Sequence, residues 1–312
     1  MGSVLTMGEI LVEIMRTEKD LLLSKPGNFR GPFPSGAPAI FIDSVARLGE
    51  KGTIIGGIGE DDFGENVFNR LKSDGVNCDF INIDKKKTTA VAFVGYDKNG
   101  GRKFIFHLKD TSAASINELE FEHLNYYDYF HVMGCSLMVQ NDFRKKIYKL
   151  SDKLAKKGTK ISFDPNIRKE LLRDENIQDI VDPILKNCEV LLPGLEELLF
   201  ITDTNKLNDA LSIIFNDFPI KIVVLKLGKK GCKVITKEKE FSIKAYKIEE
   251  IDPTGAGDCF DAGFITGLIK GKSLEDSAKI AAAAGAINAT GFGPMEGYVS
   301  KKKIKEFTGI SI

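Results

Sequence analysis

Several things are missing from this chain of 312 residues, and each absence closes a class of function. It has no surplus of charge, with 44 Lys and Arg against 44 Asp and Glu. No field of one sign would therefore draw it to nucleic acid or to an anionic membrane, and the expected partner is a small molecule. The opening "MGSVLTMGEILVEIM" lacks a basic start and carries Glu9 and Glu13 inside its apolar stretch, which speaks against a signal peptide or a spanning helix. The five cysteines are scattered, odd in number and without metal-ligand spacing, so neither a disulfide framework nor a zinc site is expected, and a reducing cytoplasm fits. No repeat or low-complexity linker marks a second full domain. No GxGxxG is found either. The nearest stretch, "GGIGEDDFG", has the wrong spacing, and Glu60, Asp61 and Asp62 would repel a pyrophosphate, so a nicotinamide oxidoreductase is disfavoured. Of the three histidines, only His107 falls where it could meet a ligand, and an ordinary half-buried strand position explains it as well.

What is present is a rhythm of short apolar runs: "SVLTMGEILVEI", "TIIGGIG", "YFHVMG", "KISFD", "EVLLP" and "IKIVVLKLG". Most are followed by stretches with helical periodicity. Strands that are apolar almost throughout and alternate with helices imply a parallel sheet covered on both faces, a doubly wound α/β core. Two stretches break the rhythm. Residues 14 to 35 are rich in Gly and Pro, and "TTAVAFVGYDKNGGRKFIFHL" reads as a hairpin turning at "DKNGG". Together, over about 10–35 and 86–111, they predict a small β-sheet lid on a single domain spanning 1–312. Ligands in such folds sit beyond the carboxyl ends of the strands, beneath such a lid.

The stretch "DPTGAGDCFDAGF" is the most informative. It reads as a turn feeding a helix, with Asp258 near the helix start and Phe260, Phe264 and Leu268 at i, i+4 and i+8. Glycine gives up the most backbone entropy on folding and packs nothing in return, so Gly255 and Gly257 need a reason. Small residues at 255 to 257 let backbone N–H groups converge at a helix N-terminus, where the dipole adds positive character: an anion site. Capping alone explains Asp258 but not the glycines before it. Close packing against the sheet accounts for Gly263 and Gly267. An anion loop with an adjacent carboxylate suits phosphoryl transfer, in which the protein positions the reactants, neutralises charge and accepts the nucleophile's proton.

"DPTGAGDCFDAGFI" resembles the carboxyl-terminal signature of the ribokinase/PfkB carbohydrate kinases, and the resemblance runs over essentially the whole chain. It implies that the amides of Gly255, Ala256 and Gly257 hold the migrating phosphoryl group and that Asp258 is the catalytic base. "GEILVEI" is similar to the family's first strand, where the position of Glu13 usually holds an aspartate that binds sugar hydroxyls. "SGAPAIFIDSVARLGEKGTIIGGIGEDDFG" is similar to the amino-terminal signature, which brings Gly36 and Ala37 to the sugar. "FDPNIR" resembles the strand whose polar residues face the substrate, with Arg168 at its end, near the transferring phosphate. "LKLGKKGC" resembles the edge of the nucleotide site, implying that Lys226, Gly228 and Gly231 bind ATP. "AAAAGAINATGFG" resembles the wall of the adenine pocket, placing Asn288 there. In many members a monovalent cation, K⁺, binds nearby, and Asp252 is its candidate ligand here. Two positions depart from the pattern: Ile40 stands where an asparagine usually binds sugar, and in "GLEE" Glu197 keeps the acid that places Mg²⁺ through water while Gly194 replaces an amide.

The implied activity is transfer of the γ-phosphoryl group of ATP, with Mg²⁺, to a primary hydroxyl of a ketose or keto sugar acid of the fructose, tagatose or 2-keto-3-deoxygluconate type. "SAAS" resembles the sugar-acid subgroup, and Arg102, Lys109 and Arg168 are the cations that could hold a carboxylate, Lys109 as a point charge. The resemblance also implies a homodimer paired through the lid. A non-catalytic sugar sensor on the same fold is the alternative that Ile40 and Gly194 favour.

Overall fold

The computed structural model describes residues 1–98, 101–116, 124, 126–172 and 175–312. Its strands are β1 (Ser3–Met7), β2 (Leu11–Arg16), β3 (Phe29–Ser35), β4 (Lys51–Gly59), β5 (Asn77–Asp84), β6 (Ala90–Tyr96), β7 (Arg102–His107), β8 (Tyr129–Met133), β9 (Lys160–Asp164), β10 (Cys188–Leu191), β11 (Ile222–Lys226), β12 (Cys232–Ile235) and β13 (Glu240–Ile243). The helices are α1 (Ala37–Arg47), α2 (Asp62–Ser73), α3 (Gly134–Leu137), α4 (Asn141–Lys156), α5 (Lys169–Leu172), α6 (Ile177–Leu185), α7 (Leu195–Ile201), α8 (Leu207–Asp217), α9 (Ala256–Ile269), α10 (Leu274–Asn288) and α11 (Lys301–Thr308).

Nine strands form one sheet in the order β13-β12-β11-β10-β9-β8-β1-β4-β5, parallel from β11 to β5, with β12 and β13 added antiparallel at one edge. Its central strands are buried along nearly their whole length, as residues covered by helices on both faces must be. Neighbours on β1 divide between the two cores. Val4 belongs with Phe41, Phe264 and Ile280 on one face, Leu5 with Phe130, Phe143 and Phe163 on the other. From β1 the chain builds outward through β4 and β5 on one side and through β8 to β11 on the other. The order therefore reverses beside β1, where doubly wound folds bind their ligands.

A second sheet, β3-β2-β6-β7, stands apart from the first; only β2 and β6 in it are parallel. The run "SVLTMGEILVEI", expected as one strand, is two strands in two sheets. The break falls at Gly8, where a Cβ would lie 2.2 Å from Pro38 Cγ and 2.3 Å from Ser136 Oγ. Glu9 and Ile10 are both buried, so no exposed turn marks the break. The centre of the turn expected at "DKNGG", residues 99 and 100, lies outside the described residues. Gly263 and Gly267 also differ from expectation. They open α9 to α10 rather than to the sheet: added Cβ atoms would sit 2.9 Å from Ala281 Cα and 2.6 Å from Ser277 Oγ.

Candidate active site

The site begins at the turn before α9. Gly255 caps the helix at φ 76°, a left-handed conformation, and a Cβ there would lie 2.2 Å from the Pro294 carbonyl oxygen, so only glycine fits. The first-turn N–H groups of a helix have no intrahelical acceptors. That of Ala256 turns back to the Pro253 carbonyl at 3.2 Å, so Ala256, expected to hold the phosphoryl group, spends its amide on the turn. The amides of Gly257 and Asp258 remain for a ligand. A Cβ on Gly257 would meet only Lys226 Nζ, at 3.9 Å. The approach to this backbone is therefore open, and a lysine ammonium borders it.

Asp258 lies in the first turn of α9, 6% exposed, and lines a pocket at the carboxyl ends of the strands together with Gly255, Gly257 and Lys226. Its Oδ1 accepts a hydrogen bond from Asn166 Nδ2 at 3.0 Å. Burial, and then the Asp164 carboxylate, push its pKa up to about 7, against the pull of Arg168, Lys226 and Arg102. A carboxylate poised near neutrality that still accepts a proton is what a general base at physiological pH requires. Asn166 is itself held at φ 36°, its N–H on Asp164 Oδ1 at 3.1 Å.

Beneath Asp258 lies a closed charge cluster. Lys226, the last residue of β11, donates to Asp164 Oδ2 at 2.7 Å and to Asp261 Oδ2 at 3.2 Å. Burial pushes Asp164 up, but the Lys226 ammonium together with a hydrogen bond to Asp261 outweighs that and holds it below the ordinary carboxylate range. Burial drives Asp261 well above that range, against the pull of the Lys226 ammonium. Glu197 faces the same pocket, and both its oxygens are fixed by backbone: Oε1 accepts from Ile167 N at 2.9 Å and Oε2 from Gly194 N at 2.7 Å. No group of three or more acidic, His or Cys side chains among the described residues could hold a metal unaided. One or two carboxylates nevertheless suffice for Mg²⁺ where a phosphate binds beside them, because the ion keeps several waters and binds mainly through substrate oxygens.

The opposite wall comes from the lid and from α1. Glu13 on β2, 7% exposed, accepts from Ser35 Oγ at 2.8 Å through Oε1, while Oε2 is buried without a partner; burial raises its pKa to about 7. Gly36, at φ 104°, brings the chain within 2.4 Å of a would-be Cβ contact with the Glu9 carbonyl oxygen and starts α1, whose Ala37 and Ile40 line the pocket. Arg102 on β7 and Arg168 after β9 flank the Phe104 ring, with guanidinium carbons 5.8 Å and 5.4 Å from its centroid. Both line the pocket and neither makes an ion pair among the described residues.

The remaining expected residues fall elsewhere. Lys109 is exposed and does not line the pocket; its neighbour Leu108 turns inward instead, because alternation along β7 continues past its end. Asn288 is buried, with Nδ2 clamping the carbonyls of Thr254 at 2.8 Å and Pro294 at 3.0 Å, so its amide braces the loops behind Gly255. Asp252 is a buried carboxylate without a cationic partner among the described residues. Oδ1 accepts from Thr254 N, Thr254 Oγ1 and Tyr96 OH of the lid, and Oδ2 from Gly293 N. Gly228 and Gly231 shape the turn between β11 and β12, outside the pocket. The sequence reading named Lys226 but missed its cage, Asp164 and Asp261, and missed Asn166 as the partner of Asp258. Polar residues that close otherwise apolar strands, Asp164 on β9 and Lys226 on β11, were the available signal.

The family profile described as pfkB family carbohydrate kinase matches residues 1–301. A fructokinase of Solanum tuberosum is 31% identical over 283 residues, covering 89% of this chain and 85% of that one. Among solved structures, an E. coli protein provisionally named ribokinase II, in complex with ATP and Mg²⁺, aligns with a TM-score of 0.89 at 35% identity over 99% of both chains. A Vibrio cholerae fructokinase variant with fructose, ADP and potassium ion bound aligns at 0.85 and 25% identity over 98% of both.

Proposed function

Since the chain belongs to the pfkB family of carbohydrate kinases, and is an ATP-dependent sugar kinase, we propose that it phosphorylates a primary hydroxyl of a keto sugar acid. The observation that carries the choice of an acid is the pair of guanidiniums, Arg102 and Arg168, turned to the pocket without an ion pair among the described residues. A neutral ketose would bring no anion of its own to this pair once the lid excluded water. An acid leaves Arg168 for the phosphoryl side and Arg102 for the substrate carboxylate, in the fork geometry that suits both anions.

In this reading Asp258 takes the proton of the accepting hydroxyl as the oxygen attacks, and the amides of Gly257 and Asp258 face the charge that develops on the transferred group. Lys226, kept protonated by Asp164 and Asp261, adds a fixed cation beside Gly257. Glu197 would hold Mg²⁺ through water, and that ion would supply charge neutralisation between the phosphates. Glu13 offers its unpartnered Oε2 to sugar hydroxyls. Asp252, a buried carboxylate lacking a counter-charge among the described residues, would take a monovalent cation next to the anion loop. Tyr96 ties the lid to that same loop through Asp252 and through Thr254 Oγ1 at 3.1 Å, so closure over the sugar and ordering of the loop are mechanically linked.

Fructose is the second reading, favoured by the names of the similar fructokinases. ADP release measured against 2-keto-3-deoxygluconate, fructose, tagatose and ribose decides between them. Turnover of fructose without turnover of the acid would overturn the proposal.

A further inference from the structure

We infer that Ile40 is a specificity-determining residue, selecting a sugar that bears no hydroxyl on the carbon turned toward α1, that is, a deoxy sugar. The inference rests on the kinase reading and sharpens its substrate class. Ile40 is 3% exposed and lines the pocket from the first turns of α1. One turn further along the same side, Ser44 Oγ donates to Cys259 Sγ at 3.2 Å, and Cys259 directly follows the base. Ile40 therefore faces the start of α9, close to where the accepting end of the sugar must lie.

Around the rest of the pocket each wall offers a polar partner: Glu13, Asn166, Asp258, Glu197 and the two arginines. The wall made by α1 offers none. Its first six side chains, Ala37 to Ile42, are all apolar, and the first polar one, Asp43, is fully buried and paired with Arg47 at 3.1 Å. A hydroxyl pressed against this wall would give up its water and find no replacement, whereas a methylene would lose nothing. An apolar surface rejects an added hydroxyl by a limited factor, of the order of tenfold to a hundredfold. The expected signature is thus a bias between close analogues and not absolute exclusion.

The test compares kcat/KM, from ADP release, for pairs of sugars that differ by one hydroxyl: 2-keto-3-deoxygluconate with 2-ketogluconate, and fructose with its monodeoxy derivatives. The parent protein should favour the deoxy member of at least one pair by about tenfold or more. Two nearly isosteric variants, Ile40→Val and Ile40→Thr, have the same shape and differ in one methyl exchanged for a hydroxyl. Valine should keep the bias and threonine should reduce it by about tenfold, equivalent to about 1.4 kcal/mol. Equal use of both members of every pair by the parent, or equal ratios in the two variants, would overturn the role of Ile40. A threonine variant that moved the pH profile for both members alike and left their ratio unchanged would also overturn it, since Ile40 would then act by keeping the base dry. Absence of ADP from every sugar would overturn the kinase reading itself, and this inference with it.

Discussion

The floor and the roof of the pocket are built on opposite principles. On the floor, where the carboxyl ends of β9 and β11 meet α9, the charges are paired before any ligand arrives: Lys226 with Asp164 and Asp261, Asp258 with Asn166, Glu197 with two backbone amides. On the roof, Arg102 and Arg168 lie beside an aromatic ring and make no ion pair among the described residues, and Glu13 keeps a buried oxygen without a partner there. A preorganised floor suits chemistry that is the same for every sugar, because dipoles fixed in advance need no reorganisation at the moment of reaction. An unsatisfied roof suits recognition, because the substrate itself supplies the missing partners.

The sharpest break of this contrast is at the base. Asp258→Asn keeps the hydrogen bond with Asn166 available but removes proton acceptance, and kcat is expected to fall by about 10² to 10⁴ with sugar KM nearly unchanged. Asp261 will not substitute, since it is ion-paired to Lys226 and outside the pocket. The parent's kcat/KM should rise with pH through about 7, as Asp258 loses its proton, and level off above. Stability runs the other way: burial raises this pKa over that of the unfolded chain, so the contribution is full in acid and is lost as pH rises through about 7. A pH–rate profile flat between 5 and 9, or near-normal turnover by the asparagine variant, would remove Asp258 from the floor's chemistry.

Next comes the anion loop, where two glycines two residues apart should fail differently. Gly257→Val has room to fold, and should lose about 10² to 10³ in kcat by obstructing access to the amides. Gly255→Val demands a left-handed valine against the Pro294 carbonyl and should instead lower the melting temperature. Thermal unfolding beside steady-state kinetics separates the two, and the reverse pattern would mean that Gly257 serves packing alone.

The smallest effect is expected on the roof. Arg102→Met keeps the stem and removes the charge, so KM for 2-keto-3-deoxygluconate should rise by about tenfold while any turnover of fructose stays as it was. An unchanged KM for the acid would show that the roof does not read charge and would return the substrate to the neutral ketoses.

Much of the floor was legible in the sequence because it is local. The glycines, the base and the helix they start lie within four residues, and a glycine cluster ahead of a helix has few other physical explanations. The alternation of apolar strands and helices likewise announced a parallel sheet, since burial on both faces leaves its mark residue by residue. The antiparallel edge β12–β13 and strand β5 were less visible. They are short or half-exposed, and their sequences alternate without a continuous apolar run.

By itself, then, the sequence announced the α/β architecture and a glycine-rich turn opening a helix, which follow from short-range patterns of burial and backbone freedom, while the kinase class came from the resemblance of that turn to a family signature. Tertiary structure alone decided that "SVLTMGEILVEI" divides between two sheets at Gly8, that Lys226 meets aspartates 62 and 35 residues away, and that Arg102 rather than Lys109 faces the pocket. Each of these depends on which strand lies beside which and on the side to which a side chain points. Those are set by packing between segments distant in the chain, and a pattern of period two or 3.6 looks the same whichever neighbour it finally meets.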